Sequence, residues 1–511
     1  MANTLQLPKA HFIMALILPL AVILGYFLVD PLEPSSLTVL GLVLAALALP
    51  LMMQWYHPML ILLWNASIMP VFVPGSPYMW MLVALVGFMI CVLNRSVNRN
   101  FRFISVPSIN YALLFLVVVV GVTAYFNGGI GSQIFGSSRY GGRRYFYTFL
   151  AVIGYFVLTS RRIPAHRAML FTSLFFLSAI TALVPDILSM AGNGSSFLYQ
   201  LFPPDFSAVQ ALSGAMETDI MFRIYGLTTA STGLFFALLA RYGIRGVFDW
   251  GKPWRAGLFF LALAACVYSG FRSILILMVL TFMVQFYLEG LHRTRLLAIL
   301  ASILLLGGGL MLTQAERLPL VVQRTISFLP VNVSQSAKGS ADASLEWRLR
   351  MWRVVLPQVP SHLLLGKGYG LDPTAMYFSG DSSANREGFE WAVVAGDYHN
   401  GPLSLVIPFG IWGLIAFGWF CVASLRYLYR NYRSGTSELR PINTLLLSCF
   451  AARLVFFLIF FGGFWGDLCL FTGIVGLSVS LNGAEPVPAA RPETEILEEE
   501  FAERAYRDDY A

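Results

Sequence analysis

Residues 402–425 read Pro402–Leu–Ser–Leu–Val–Ile–Pro–Phe–Gly410–Ile–Trp–Gly413–Leu–Ile–Ala–Phe–Gly–Trp–Phe–Cys–Val–Ala–Ser–Leu425, with no charged side chain among them. A helix needs roughly 20 apolar residues to cross the hydrocarbon core of a bilayer, and this stretch is long enough. Working outward, comparable runs recur near residues 12–29, 37–53, 58–74, 79–94, 110–126, 144–160, 168–188, 223–240, 256–270, 273–289, 296–313, 442–461 and 464–481. The 511 residues are 57% hydrophobic and 12% charged, whereas a soluble domain carries about 25% charged residues. Backbone polar groups must pair internally in lipid, which leaves helices or a closed barrel. A barrel would show alternating stretches of about 10 residues instead of these continuous runs. The expectation is an all-α polytopic membrane protein with about 12–14 transmembrane helices.

The charges order the topology. The net charge of +7 conceals an acidic tail, where nine acids from Glu485 onward face Arg491, Arg504 and Arg507, so the remainder carries +13. The segments Arg95–Arg102, Arg161–Arg167, Arg241–Arg255, His292–Arg295 and Arg426–Arg440 are all basic. Alternate crossing puts them on one side, expected to be the cytoplasm by the positive-inside rule, together with both termini. A basic excess of this kind fits anionic lipid and not nucleic acid. The five cysteines lie in apolar runs, where they read as small buried residues. Run 12–29 is long enough to span and lacks a small-x-small exit, so no cleavable signal is expected.

The expected division is a transmembrane unit over 1–484 and an acidic cytoplasmic tail over 485–511. Three segments fall on the outer face, 127–143, 189–222 and 314–401. The last is too long for a passive connection inside a tight bundle. Within it Ser344–Val359 is expected to be helical, capped by Ser344, with Leu345, Leu349, Trp352 and Leu356 on one face. Asp372–Pro373 suggests a second helix start.

Polar residues gather on this outer side. Arg223 opens a span in Phe222–Arg–Ile–Tyr–Gly226, and Arg272 stands at an outer turn in Tyr268–Ser–Gly–Phe–Arg–Ser273. A cation at that depth is costly unless it snorkels, pairs or lines a wet cavity. Arg348 lies in Glu346–Trp–Arg–Leu–Arg350, and His399 in Asp397–Tyr–His–Asn–Gly401 just before run 402–425. Gly366–Lys–Gly–Tyr–Gly370 lacks the spacing of a phosphate-binding P-loop and reads better as a tight turn. Arg139, Arg143 and Arg144 are equally suited to steering an anionic glycan or anchoring at the interface.

Taken in order, an Arg-x-x-Gly at a span start is followed by a Ser-x-x-Arg outer turn. Arg348, Trp352, Pro360, Gly366-x-Gly368 and His399–Asn400 then lead into a Gly-rich helix. This order resembles the O-antigen ligase and Wzy-type polymerase superfamily over about residues 220–420. Two departures stand out. Gly270–Phe271 separate Ser269 from Arg272, which are adjacent in the family pattern, and Leu227–Thr–Thr–Ala–Ser–Thr232 replaces an Asn-rich stretch.

The resemblance implies a GT-C-like glycosyltransferase architecture in the inner membrane of a bacterium, with a partly helical periplasmic loop over 314–401 carrying the active site. The implied reaction moves a glycan from an undecaprenyl diphosphate carrier to an acceptor hydroxyl on a glycan, lipid A core or protein. It would act as ligase or polymerase in O-antigen or exopolysaccharide assembly. Arg223, Arg272 and His399 are the expected catalytic residues, with Arg348, Asn400, Lys367, Arg139, Arg143 and Arg144 binding the diphosphate or glycan. No cofactor is implied, and without an outer Asp-x-Asp pair no metal is required; Asp381 and Asp397 stand as single candidates. The rival class is a secondary transporter or lipid-linked oligosaccharide flippase. It would need related halves and buried charges along a path, and only Arg453 lies clearly mid-span.

Overall fold

The computed structural model describes residues 52–99, 101–130, 141–191, 193–203, 224–327, 330–371 and 389–484, together with scattered positions between 18 and 43. It divides into two units, Met1–His57 and Pro58–Ala511. In the first, residues 52–57 are helical. Arg139, Arg223, Asp372–Pro373, Asp381 and the tail from Glu485 lie outside the described residues, as does most of runs 12–29 and 37–53.

Among the described residues the second unit has helices and no strand. Its first half contains α1 (Met79–Val97), α2 (Pro107–Phe126), α3 (Gly142–Leu158), α4 (Ala165–Leu177) and α5 (Leu183–Ala191), the last two joined by a 3-10 turn at Ser178–Ala182. Next come α6 (Tyr225–Val247), α7 (Trp254–Tyr268), α8 (Arg272–Leu288) and α9 (Arg295–Gln314). Segment 314–401, expected on the outer face, supplies α10 (Leu320–Ile326), α11 (Gln335–Val355) and α12 (Phe389–Ala395). Finally, α13 (Gly401–Ser434), α14 (Arg440–Ile459) and α15 (Phe464–Asn482) close the bundle. Six helices among the described residues are long and apolar enough to cross a membrane, with α7, α8 and residues 295–310 as shorter apolar helices. The chain is an all-α polytopic membrane protein.

α15 is the most enclosed span, packing against α3. Its Cys469 carbonyl accepts from Trp64 Nε1 at 3.1 Å. One charged pair stands within this packing. Arg453 of α14 donates to Asp467 of α15 at 2.9 Å, both 14% exposed, and the second carboxylate oxygen of Asp467 accepts from the Gly463 amide. The mid-span arginine is therefore neutralised locally. Asp467→Asn would leave it buried without its counter-charge, and the expected loss is about 3–5 kcal/mol, read as a lowered melting temperature in detergent. An unchanged melting temperature would mean that Arg453 is compensated by solvent.

α11 corrects the expected helix at Ser344–Val359. It starts nine residues earlier, capped by Ser334, whose hydroxyl accepts from the Ala337 amide. The extra turns, Gln335–Ala343, are made of polar and small residues, so they show no apolar period although they are helical. The buried face also differs from the one expected. Leu345, Leu349 and Leu356 are exposed, while Ala337, Ala341, Met351 and Val355 are buried. Met351 and Val355 join Ala392, Tyr398, Leu403, Val406 and Ile407 in one core, which seats the outer segment on the start of α13.

Candidate functional site

The site begins at a break in α13. Pro408 lies inside that helix and Gly410 departs from helical geometry at φ 64°, ψ −160°, so carbonyls and amides of one turn lose their intrahelical partners. The segment Leu363–Gly368 supplies replacements. Ile411 donates to the Leu363 carbonyl at 2.7 Å, Lys367 donates to Ile407 and Gly368 to Pro408, both at 2.9 Å. Irregular backbone at this depth is tolerable because protein covers it. Gly366 accepts from Asn127 Nδ2 at 2.9 Å, and a Cβ there would overlap the Pro408 carbonyl. The Gly366-x-Gly368 pair is thus a backbone splint for the broken helix, in keeping with a tight turn and not a P-loop. Gly366→Ala is expected to cost about 1–3 kcal/mol through forced displacement, measured as a fall in melting temperature. Wild-type stability would show that the contact relaxes freely.

The same seating presents His399. Trp352 Nε1 donates to the Tyr398 carbonyl at 2.8 Å, and the Asn400 side chain caps α13 by accepting from the Leu403 amide at 3.0 Å. Between these two anchors His399 takes a left-handed backbone, φ 51°, a conformation that costs energy outside glycine and concentrates at functional sites. Its ring lies 5.4 Å from Trp347 and 5.0 Å from Phe461 between centroids. Its Nδ1 is buried without a hydrogen-bond partner among the described residues. Burial holds the imidazole below its ordinary pKa, Arg348 pushes the same way, and Asp397 opposes them.

Arg348 shares this corner, its guanidinium 5.6 Å from the Phe461 ring. Arg272 reaches the neighbouring turns of the outer segment. At the start of α8 it donates to Ser327 Oγ at 3.3 Å and to the Ala341 carbonyl of α11 at 3.4 Å. Ala341 and Arg348 are seven residues apart, two helical turns, hence on one face and about 10 Å along it. From the bundle side, Phe461 packs on the same buried cluster, Leu277, Ala452 and Phe456, as Ile276, one turn beyond Arg272. Arg348 and His399 therefore share one aromatic corner, and Arg272 holds the same face of α11 two turns away. Arg223 itself is not described, but the adjacent Ile224 amide donates to the Ser269 carbonyl at 3.1 Å, and Thr228 Oγ1 donates to Ser269 Oγ at 2.6 Å. The Arg-x-x-Gly and Ser-x-x-Arg motifs thus meet in space. Beside them, α6, α7 and α10 line an open apolar groove of about 500 Å³, with Leu227, Leu261, Ala265, Tyr268 and Val322 among its residues.

The other expected residues separate. Arg143 turns to the Ser76 carbonyl and Tyr147 hydroxyl, each at 3.3 Å, an anchoring role away from His399. Arg144 donates to the Ala395 carbonyl and joins Lys367 beside Tyr369 and Tyr398. Asn400 has its carbonyl oxygen engaged in the cap. Trp347 and Phe461 were not among the expected residues. Phe461 sits in Phe460–Phe–Gly–Gly–Phe–Trp465, where an aromatic Gly-Gly turn between the last two spans was the available signal.

Residues 257–418 match the family model described as O-Antigen ligase. No curated protein matches the chain. The match spans α7 to the broken part of α13, and so covers Arg272, Arg348, Lys367, His399 and Asn400. The resemblance carried by the motif order holds over that stretch.

Proposed function

We propose that this chain, whose residues 257–418 match the O-antigen ligase family, transfers a glycan from a polyprenyl diphosphate to an acceptor hydroxyl on the outer face of a bacterial inner membrane. The observation that carries this reading is the meeting of Arg348 and His399 at Phe461, with Arg272 bonded to the same face of α11. In the reaction the acceptor hydroxyl loses its proton to the His399 imidazole, its oxygen bonds to the anomeric carbon, and the bond from that carbon to the diphosphate oxygen breaks. Negative charge grows on the departing diphosphate. Fixed guanidiniums in a water-poor cleft stabilise that charge more in the transition state than in the ground state, and their forked geometry suits phosphate oxygens. Arg272, Arg348 and, by its motif, Arg223 serve this role.

A general base must be neutral, and burial of His399 favours the neutral form. The open apolar groove beside the Ser269 turn suits the first isoprene units of a lipid carrier. Nothing in this scheme needs a metal ion, and residues 1–484 act as the membrane platform with the periplasmic loop over the acceptor.

The test is transfer by purified protein of glycan from undecaprenyl diphosphate to acceptor, with and without EDTA. Activity surviving chelation supports the metal-free reading; loss that added metal restores removes it. Gene deletion then sorts the class. Full-length chains missing from their acceptor mark a ligase and single repeat units a polymerase. An unchanged polymer with impaired solute uptake would replace the transferase reading with transport.

A further inference from the structure

A second polar cluster stands next to His399 and takes no part in the chemistry above. Lys367 Nζ lies 5.7 Å from the Tyr398 ring centroid. The Arg144 guanidinium lies 5.8 Å from the Tyr369 ring and 5.6 Å from the Trp465 ring. The two cations repel each other, and Lys367 is held below its ordinary pKa by burial and by Arg144. Among the described residues no carboxylate forms an ion pair with either. Two phenols face the same space. Tyr369 is 5% exposed and Tyr398 1%, and neither hydroxyl has a hydrogen-bond partner among the described residues. Such orphaned buried hydroxyls are rare and call for an occupant.

The backbone keeps the cluster close. Gly396 has φ 70°, and a Cβ there would crowd an Arg144 guanidinium nitrogen at 3.0 Å and stand 3.7 Å from the Tyr398 hydroxyl, so guanidinium and phenol approach each other across a bare glycine.

We infer that Arg144, Lys367, Tyr369 and Tyr398 form a buried anion subsite that receives a carboxylate or phosphate substituent of the acceptor sugar. Two cations and two hydroxyl donors match an oxyanion with several acceptor oxygens. The position fits an acceptor more than the donor. Tyr398 and His399 are consecutive, yet Tyr398 meets Lys367 while His399 meets Trp347, Phe461 and Arg348. An acceptor anchored on the Tyr398 side presents its hydroxyl to a base one residue away, and the Arg272–Arg348 side stays open for the diphosphate. The assignment to the acceptor rests on the transferase reading; the anion site itself does not.

The experiment is calorimetric titration of the full-length protein in detergent with inorganic phosphate, glucuronate and, as the uncharged control, glucose. Binding of either anion but not glucose is expected, weakened at least tenfold by Lys367→Met and by Tyr398→Phe. Which anion binds more tightly identifies the substituent. Tyr398→Phe keeps the ring, so it remains informative if Lys367→Met does not fold. No anion binding by the wild type would mean that water alone fills the site and would overturn the inference, as would binding insensitive to both variants. Loss in Arg272→Gln alone would overturn it too, by locating the anion at the diphosphate side. Transfer activity is assayed separately on the wild type. Anion binding without transfer would sink the acceptor assignment and the transferase reading, whereas transfer without anion binding would sink only the subsite.

Discussion

His399→Ala is expected to reduce glycan transfer by about 10²–10⁴-fold, the range that one positioned general base contributes, without preventing folding. The side chain sits at a left-handed position between Trp347 and Phe461; alanine keeps the Cβ and hence that backbone strain and loses only the ring contacts. Melting temperature is recorded beside activity to separate the two. The pH profile gives a second reading. Burial and Arg348 lower the pKa of His399 from its usual 6.5, so its neutral, proton-accepting form persists to lower pH than in a free imidazole. The acidic limb of kcat/KM is therefore expected below 6.5, and it should vanish with the alanine variant's residual activity. A limb above 6.5, or activity within threefold of wild type in His399→Ala, would remove the base role. Trp352→Phe, which loses the hydrogen bond to the Tyr398 carbonyl but keeps most of the packing, should lower kcat with little change in KM, because it acts through the placement of His399.

Arg272→Lys is expected to reduce transfer by about 10²-fold, comparable to deleting one preorganised donor at a developing anion. Arg272 already uses two nitrogens, one on Ser327 and one on the Ala341 carbonyl, and these hold the guanidinium plane between α8 and the outer segment. A lysine ammonium can take one of those positions but cannot hold both and still present a flat fork to phosphate. The two neutral-acceptor bonds are together worth about 3–6 kcal/mol at most for a charged donor, so melting must be recorded alongside activity. If Arg272→Lys is folded and transfers glycan at the wild-type rate, the arginine is a strut between α8 and α11 and not a diphosphate ligand.

How much of this was legible beforehand differs element by element. Runs such as 79–94 and 402–425 became α1 and α13 because apolar length in lipid leaves helix as the only way to pair the backbone. Ser334–Ala343 escaped notice because a helix start made of polar and small residues carries no apolar period. Leu345 and Leu349 misled for a related reason: amphipathic spacing says that a face exists but not what covers it, and α11 is covered along Ala341, Met351 and Val355.

The motifs that the chain spaces widely were readable as residue types at a membrane face. Their partners were not. That Gly366-x-Gly368 splints Pro408–Gly410 depends on a contact between segments far apart in the chain, and Phe461 reaches His399 from beyond the next two spans. Arg143 and Arg144 are neighbours in the chain, and only their rotation on α3 sends one to Ser76 and the other to Lys367 and Tyr369.

The sequence by itself determined a helical membrane bundle, since burial in hydrocarbon acts on local composition. The tertiary structure decided that Arg348 stands by His399, that Arg143 anchors at Ser76, and that Arg144 and Lys367 meet beside Tyr369 and Tyr398. Those outcomes turn on side-chain direction and the meeting of distant segments, which the distribution of apolar and charged residues along a chain does not encode.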